Sequence, residues 1–313
     1  MFRRVALVLA LTWVSSSLFA IDFTKYHSQD EIGQYLRGVA TSYPELAHFY
    51  VLGKSDEGRE VAYLTMTSGA DSLPGIFFNG THHGNEWSST EALLGLVEYF
   101  VQHRNDAEVA GLLSKYVFYF QPLVNPDGHF HRTREDANGA DPNRDYEYPN
   151  APTGSQFKTK IISLMKKLID SHHFRAAAAY HSGIEEVIWP WCYTSAPTEQ
   201  KDLFYTFAKG AASAMGFSRY MQSYYDYPTD GEFIDYMFMT QGTFALTYEV
   251  SDDFTPAASQ LKAIVARSVK GAMAFINAVA AHDAGHLSVE SSASIVHALE
   301  FNPRWKAMGR RLE

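Results

Sequence analysis

Hydrophobic positions change their period along the chain. Over residues 28–42 and 89–103 they recur at helical spacing, and they do so again at about 157–171, 198–214 and 258–280. Between these lie short runs rich in β-branched and aromatic residues, at 61–67, 75–79, 116–123, 176–180 and 243–250. Several of them are apolar on consecutive positions, as strands covered on both faces are. Ser88-Ser89-Thr90-Glu91 provides good N-terminal chemistry for the second helix. The alternation of β and α predicts one α/β domain whose sheet is covered on both sides. In such folds ligands bind outside the carboxyl ends of the strands. The polar residues that end these runs are therefore the ones to weigh.

The first twenty residues follow a different plan. Arg3 and Arg4 precede an apolar run over 5–14, then three serines and Ala20. This is the pattern of a secretory signal peptide over 1–20. The run is too short for a spanning helix, which needs about twenty residues. No later segment reads as apolar enough to span, so no stable membrane anchor is expected, and the product is exported, either periplasmic or secreted. The catalytic domain is expected over 21–285. The tail, 286–313, is less regular and suggests no role, and oligomeric state is not legible.

Composition narrows the function. The chain of 313 residues is 46% hydrophobic, too apolar for a disordered protein. Its only cysteine, Cys192, excludes an internal disulfide framework and any cysteine-based zinc module. A formal charge of −9 argues against nucleic acid as a partner.

Chemistry gathers at the strand ends. The run 75–79 leads into a turn bearing His83 and Glu86, three residues apart, just before a helix. An imidazole and a carboxylate at this spacing can reach one cation. A catalytic zinc needs a third protein ligand and an open position. His181 ends the run 176–180 and can supply that ligand if the two strands lie side by side. A lone His-x-x-Glu is a weak signal, because the pair occurs by chance in many chains. His82 and His129 read as packing or surface histidines. Downstream, Asn125-Pro-Asp-Gly makes a turn into a long polar loop that holds Arg132, Arg134, Asp141, Asn143, Arg144 and Asp145. It reads as a solvated loop or as a functional one. Arginine there suits a carboxylate or a developing oxyanion. Glu249 closes a run otherwise fit for a buried strand. It either faces water at a strand edge or acts as a general base beside a metal site.

Together these pieces resemble the zinc carboxypeptidase family of metallopeptidases, the group of the pancreatic carboxypeptidases and bacterial carboxypeptidase T. The likeness covers about 24–280, opening with Tyr26-His-Ser-Gln-Asp-Glu-Ile and Gly53-Lys-Ser-Asp-Glu-Gly-Arg59-Glu, which look like the family's opening helix and first hairpin. The resemblance implies a mixed, mostly parallel central sheet with helices on both faces. It implies that one zinc ion is held by His83, Glu86 and His181. Arg134 falls where the family has the arginine that polarises the scissile carbonyl. Asn143 and Arg144 match the pair that grips the substrate's terminal carboxylate. Tyr227 matches the mobile tyrosine that closes over the substrate, and Glu249 the general base. By spacing, Ile234 takes the position that helps define the pocket for the C-terminal side chain, which implies an apolar preference.

Several positions depart from the family pattern. Asn85 stands where the digestive enzymes carry arginine, removing one secondary substrate contact. Asp145 follows the Asn-Arg pair where asparagine is usual, and it could weaken the grip on a carboxylate or orient Arg144 by pairing with it. Glu232 and Phe233 replace small residues, and Glu232 could attract an amine on lysine or diaminopimelate. The signal runs straight into the catalytic domain, so the protein is expected to be made active. The expected substrate is a peptide or a peptidoglycan peptide, and the rival activity is a periplasmic peptidoglycan-peptide carboxypeptidase or amidase. A deacylase of the aspartoacylase type fits less well, because of the block from Tyr227 to Glu249. A catalytically silent binding protein is the reading from a different class.

Overall fold

The computed structural model describes residues 20–289. Most of the signal pattern and the tail from 290 onward lie outside them. The described chain builds one mixed sheet of eight strands: β1 (Ala47–Lys54), β2 (Glu60–Met66), β3 (Gly75–Gly80), β4 (Val117–Gln121), β5 (Phe174–His181), β6 (Ile184–Trp189), β7 (Tyr220–Gln222) and β8 (Phe244–Ser251). Their order is β1-β2-β4-β3-β5-β8-β6-β7. The central strands β4, β3, β5 and β8 run parallel, as do β6 and β7, whereas β1–β2, β2–β4 and β6–β8 pair antiparallel.

Consecutive apolar residues in the central strands feed two different cores, because side chains alternate across a strand. Ile76, Phe78, Ala176, Ala178 and Leu246 face one cluster, which is completed by α1 (Gln29–Ser42), α2 (Trp87–His103), α3 (Ala107–Leu113), α6 (Lys201–Met215) and α8 (Leu261–Asp283). Phe77, Ala177, Ala179 and Ala245 face the other, under α5 (Lys160–Ser171) and α7 (Phe233–Gln241). The expected α/β architecture with helices on both faces is therefore the one observed. The alanine run of β5 puts the smallest side chains at the sheet centre, where α2 and α7 both pack close.

Local chemistry sets several ends. Ser28 and Glu31 form a reciprocal capping box that starts α1. α2 begins at Trp87, and its N-cap, Glu86, makes no side-chain capping bond. Ser88 and Ser89 fall inside the first turn rather than ahead of it, and Ser89 Oγ donates back to the Glu86 carbonyl at 2.6 Å. α8 with its lead-in spans Ala258–Asp283, long and apolar enough to cross a membrane by length and composition. This corrects the expectation that no later segment qualifies. Its apolar residues, among them Ile264, Phe275 and Ile276, are buried in the core. Five elements carry no strong sequence signal. β1 is an exposed edge, β6 is interrupted by Glu185 and Glu186, β7 has three residues, and α3 and α7 are short. The turn at Asn125 proves to open α4 (Pro126–His131), capped by the Asn125 side chain.

Candidate active site

Two neighbouring parallel strands deliver the candidate ligand set. β3 ends at Gly80, which pairs in register with Tyr180, so His181 emerges beside the loop that carries His83 and Glu86. His83 Nδ1 lies 2.7 Å from Glu86 Oε1, His181 Nδ1 lies 2.9 Å from Glu86 Oε2, and the two Nδ1 atoms are 3.2 Å apart. All three residues are buried, and their ligand atoms fall within 4.8 Å of one another. Asp141 Oδ1 sits 3.1 Å from His83 Nε2. A carboxylate accepts, so Nε2 carries the proton and Nδ1 turns its lone pair toward the other two ligands. Two imidazole nitrogens and a carboxylate are a usual zinc donor set, and this grouping fits one zinc ion. Burial by itself would raise the Glu86 carboxyl, yet the His83 and His181 imidazoles hold it well below the usual carboxylate range.

β8 flanks β5 on its other side, and Glu249 pairs in register with His181. Its Oε2 is buried without a hydrogen-bond partner. Burial first, and then the charge of Glu86, push this carboxyl well above its ordinary range. Such a group is suited to taking a proton from a neighbouring water.

Arg134 reaches the same cluster. Its Nη1 is 3.2 Å from His83 Nδ1 and 3.8 Å from Glu86 Oε1, while Nε and Nη2 hold Asp141 Oδ2 at 2.9 and 2.8 Å. Asp141 thus contacts a candidate ligand histidine and the arginine at once. The sequence gives it no role, and its only signal is its place between Arg134 and Asn143. The loops that carry these groups touch backbone to backbone. A Cβ on Gly84 would meet the Gly128 carbonyl carbon at 2.0 Å, and the Gly84 N–H donates to the Arg134 carbonyl at 3.2 Å. Only glycine permits that approach.

Facing this group is a wall built from the turn Pro142–Arg144 and the segment before α7. Asn143 Oδ1 accepts from the Phe233 N–H at 3.0 Å, which commits the amide oxygen and leaves Nδ2 as the donor. Arg144 Nη2 donates to Tyr227 Oη at 3.0 Å, Nη1 donates to the Asn143 carbonyl at 2.7 Å, and Nη1 lies 3.2 Å from Glu232 Oε1. Gly231, at φ +75°, crosses directly over Arg144. A Cβ there would strike its carbonyl oxygen at 2.4 Å.

One expectation for this wall changes. Asp145 neither pairs with Arg144 nor faces a ligand. It accepts from Lys158 N at 2.9 Å and from Thr159 N and Oγ1 at 2.7 and 2.8 Å, tying down the entry to α5. Ile234 is buried at 1% exposure within the core cluster beneath α7, and Glu232 is the side chain beside Arg144. His82 and His129 are packing residues, as expected. His82 stacks on His181 and meets Tyr146 Oη at 2.9 Å, and His129 stacks on Trp87 with ring centroids 4.3 Å apart.

Comparison with known proteins agrees with this geometry. The family model described as zinc carboxypeptidase matches residues 32–270. Carboxypeptidase B of Astacus astacus is 29% identical over 226 residues, covering 62% of this chain and 74% of that protein. Carboxypeptidase A1 of Mus musculus is 24% identical over 268 residues, covering 74% of this chain and 64% of that one. The crystal structure of carboxypeptidase A from Helicoverpa armigera superposes with a TM-score of 0.75 at 20% identity, covering 83% of this chain and 75% of that chain, a match of fold. The chain belongs to the zinc carboxypeptidase family, whose members are zinc-dependent hydrolases of peptide bonds.

Proposed function

We propose that the protein is a metallocarboxypeptidase that removes the C-terminal residue from peptides, with a catalytic domain over 21–285 and an export signal over 1–20. The observation that carries this reading is the meeting of a buried His83–Glu86–His181 group with two half-buried arginines, Arg134 and Arg144, around Asp141. A zinc ion held by the three ligands supplies Lewis acidity toward a carbonyl and a water. Glu249 accepts the attacking water's proton and returns it to the leaving amine. Arg134 donates to the developing oxyanion, a contribution of about 3 kcal/mol for one donor. Arg144 and Asn143 Nδ2 hold the free α-carboxylate, which confines cleavage to the chain end. Tyr227, hydrogen-bonded to Arg144, closes the site around the bound residue. A second reading has the same machinery acting on peptidoglycan peptides, favoured by the signal pattern of the first twenty residues. Hydrolysis of ordinary peptides set against muropeptides separates the two.

The test of the mechanism is Glu249→Gln. Turnover should fall on the order of a thousandfold while the chain keeps one equivalent of zinc. Near-normal turnover in this variant would refute the assignment of the base.

A further inference from the structure

The wall around Arg144 holds one more carboxylate than a bound chain end needs. Glu232 stands at the N-cap of α7 and is 6% exposed. Its Oε1 accepts from Thr229 Oγ1 at 2.5 Å and lies 3.2 Å from Arg144 Nη1. Among the described residues, its Oε2 accepts only from the Cys192 thiol, at 3.5 Å. A thiol is a weak donor, so one oxygen of this buried carboxylate is poorly satisfied. Asp235, one turn further on, differs. Both of its oxygens accept from the Cys192 backbone N–H, at 3.0 and 3.1 Å, and it serves the local fold.

This inference rests on the carboxypeptidase reading, in which Arg144 receives the substrate's α-carboxylate. In that complex one guanidinium faces two carboxylates, and the wall, in which Glu232 is nearly fully buried, gains a net negative charge. Buried charge without a partner is strongly disfavoured. A C-terminal side chain ending in an ammonium or guanidinium group restores neutrality and gives Glu232 Oε2 a strong donor. An apolar side chain does neither. We propose that Glu232 selects peptides whose C-terminal residue carries a positively charged side chain, in place of the apolar preference that Ile234 suggests.

The test uses the zinc-loaded full chain and four N-acyl dipeptides ending in arginine, its neutral isostere citrulline, lysine or norleucine. Arginine should exceed citrulline in kcat/KM on the order of a hundredfold, mainly through KM, and lysine should exceed norleucine similarly. Glu232→Gln should abolish both preferences and raise kcat/KM for the citrulline peptide, because the competing carboxylate has lost its charge. Glu232→Asp should retain the order with a smaller ratio, which separates lost charge from lost folding. Calorimetry with free arginine and free citrulline should give the same ranking as hydrolysis. Equal rates for charged and neutral peptides, a neutral preference, or a ratio that survives in Glu232→Gln would overturn the proposal and leave the carboxypeptidase reading intact. If none of the four peptides is cut, the carboxypeptidase reading fails and the proposal with it.

Discussion

The two sides of the site are built by different means. On one side, His181 and Glu249 sit opposite each other on adjacent parallel strands, and His83 and Glu86 follow directly from the third. Sheet register fixes these groups, and helices bury the strands on both faces. On the other side, Asn143, Arg144, Tyr227 and Glu232 come from a short turn, a loop and a helix N-cap. They are held by hydrogen bonds to one another and by a close glycine crossing at Gly231. Chemistry placed by register is robust to local change. Recognition placed by loops can shift with one substitution, as Glu232 in a small-residue position illustrates.

The largest expected effect on substrate binding comes from breaking the loop-borne side alone. Arg144→Ala should raise KM on the order of a hundredfold, since it removes the half-buried cation that pairs with the substrate's carboxylate. Zinc content, measured on the same sample, should not change. Loss of zinc in this variant would mean that the two sides are not separable.

The strand-borne side should show its burial as a pH dependence. Glu186 pairs with Glu249 in register across β6 and β8, is fully buried, and is held by Arg219 Nε and Nη2 at 3.0 and 2.9 Å. Burial, and then the Asp226 carboxylate, push its pKa up to about 8. A carboxyl with a raised folded-state pKa favours folding while protonated in both states. That contribution is lost as pH rises from the ordinary value, near 4.5, through about 8. Denaturant unfolding of the wild type and Glu186→Gln should therefore diverge in the variant's favour between about pH 5 and 8, by at most about 1.4 kcal/mol per pH unit. A constant difference across that window would contradict the assignment.

The smallest effect concerns Asp145. Its three accepted hydrogen bonds anchor the start of α5, so Asp145→Ala should destabilise the fold by about 1 kcal/mol, with little change in kcat. A large drop in kcat with unchanged stability would restore a direct role beside Arg144.

The same contrast explains what could be read before any coordinates. His181 and Glu249 end apolar runs and His83 and Glu86 lie in the turn after one, which makes them candidates because buried parallel strands are conspicuous and their carboxyl ends are where ligands sit. Arg134, Asn143, Arg144 and Tyr227 became legible only through family resemblance, because nothing local distinguishes a functional polar loop from a solvated one. Asp141 escaped notice because its two partners, His83 and Arg134, meet it only in space. Asp145 departs from its sequence expectation because a loop carboxylate beside an arginine looks like an ion pair, while its partners are two backbone N–H groups and the Thr159 hydroxyl, over ten residues on.

The central claim is that three side chains from two strand ends hold one ion. Metal analysis of the purified chain after dialysis against zinc tests it directly, alongside His181→Ala. One equivalent of zinc per wild-type chain, lost in the variant while the fold is kept, is the predicted result. A wild type without zinc, or a variant that still holds a full equivalent, would contradict the account.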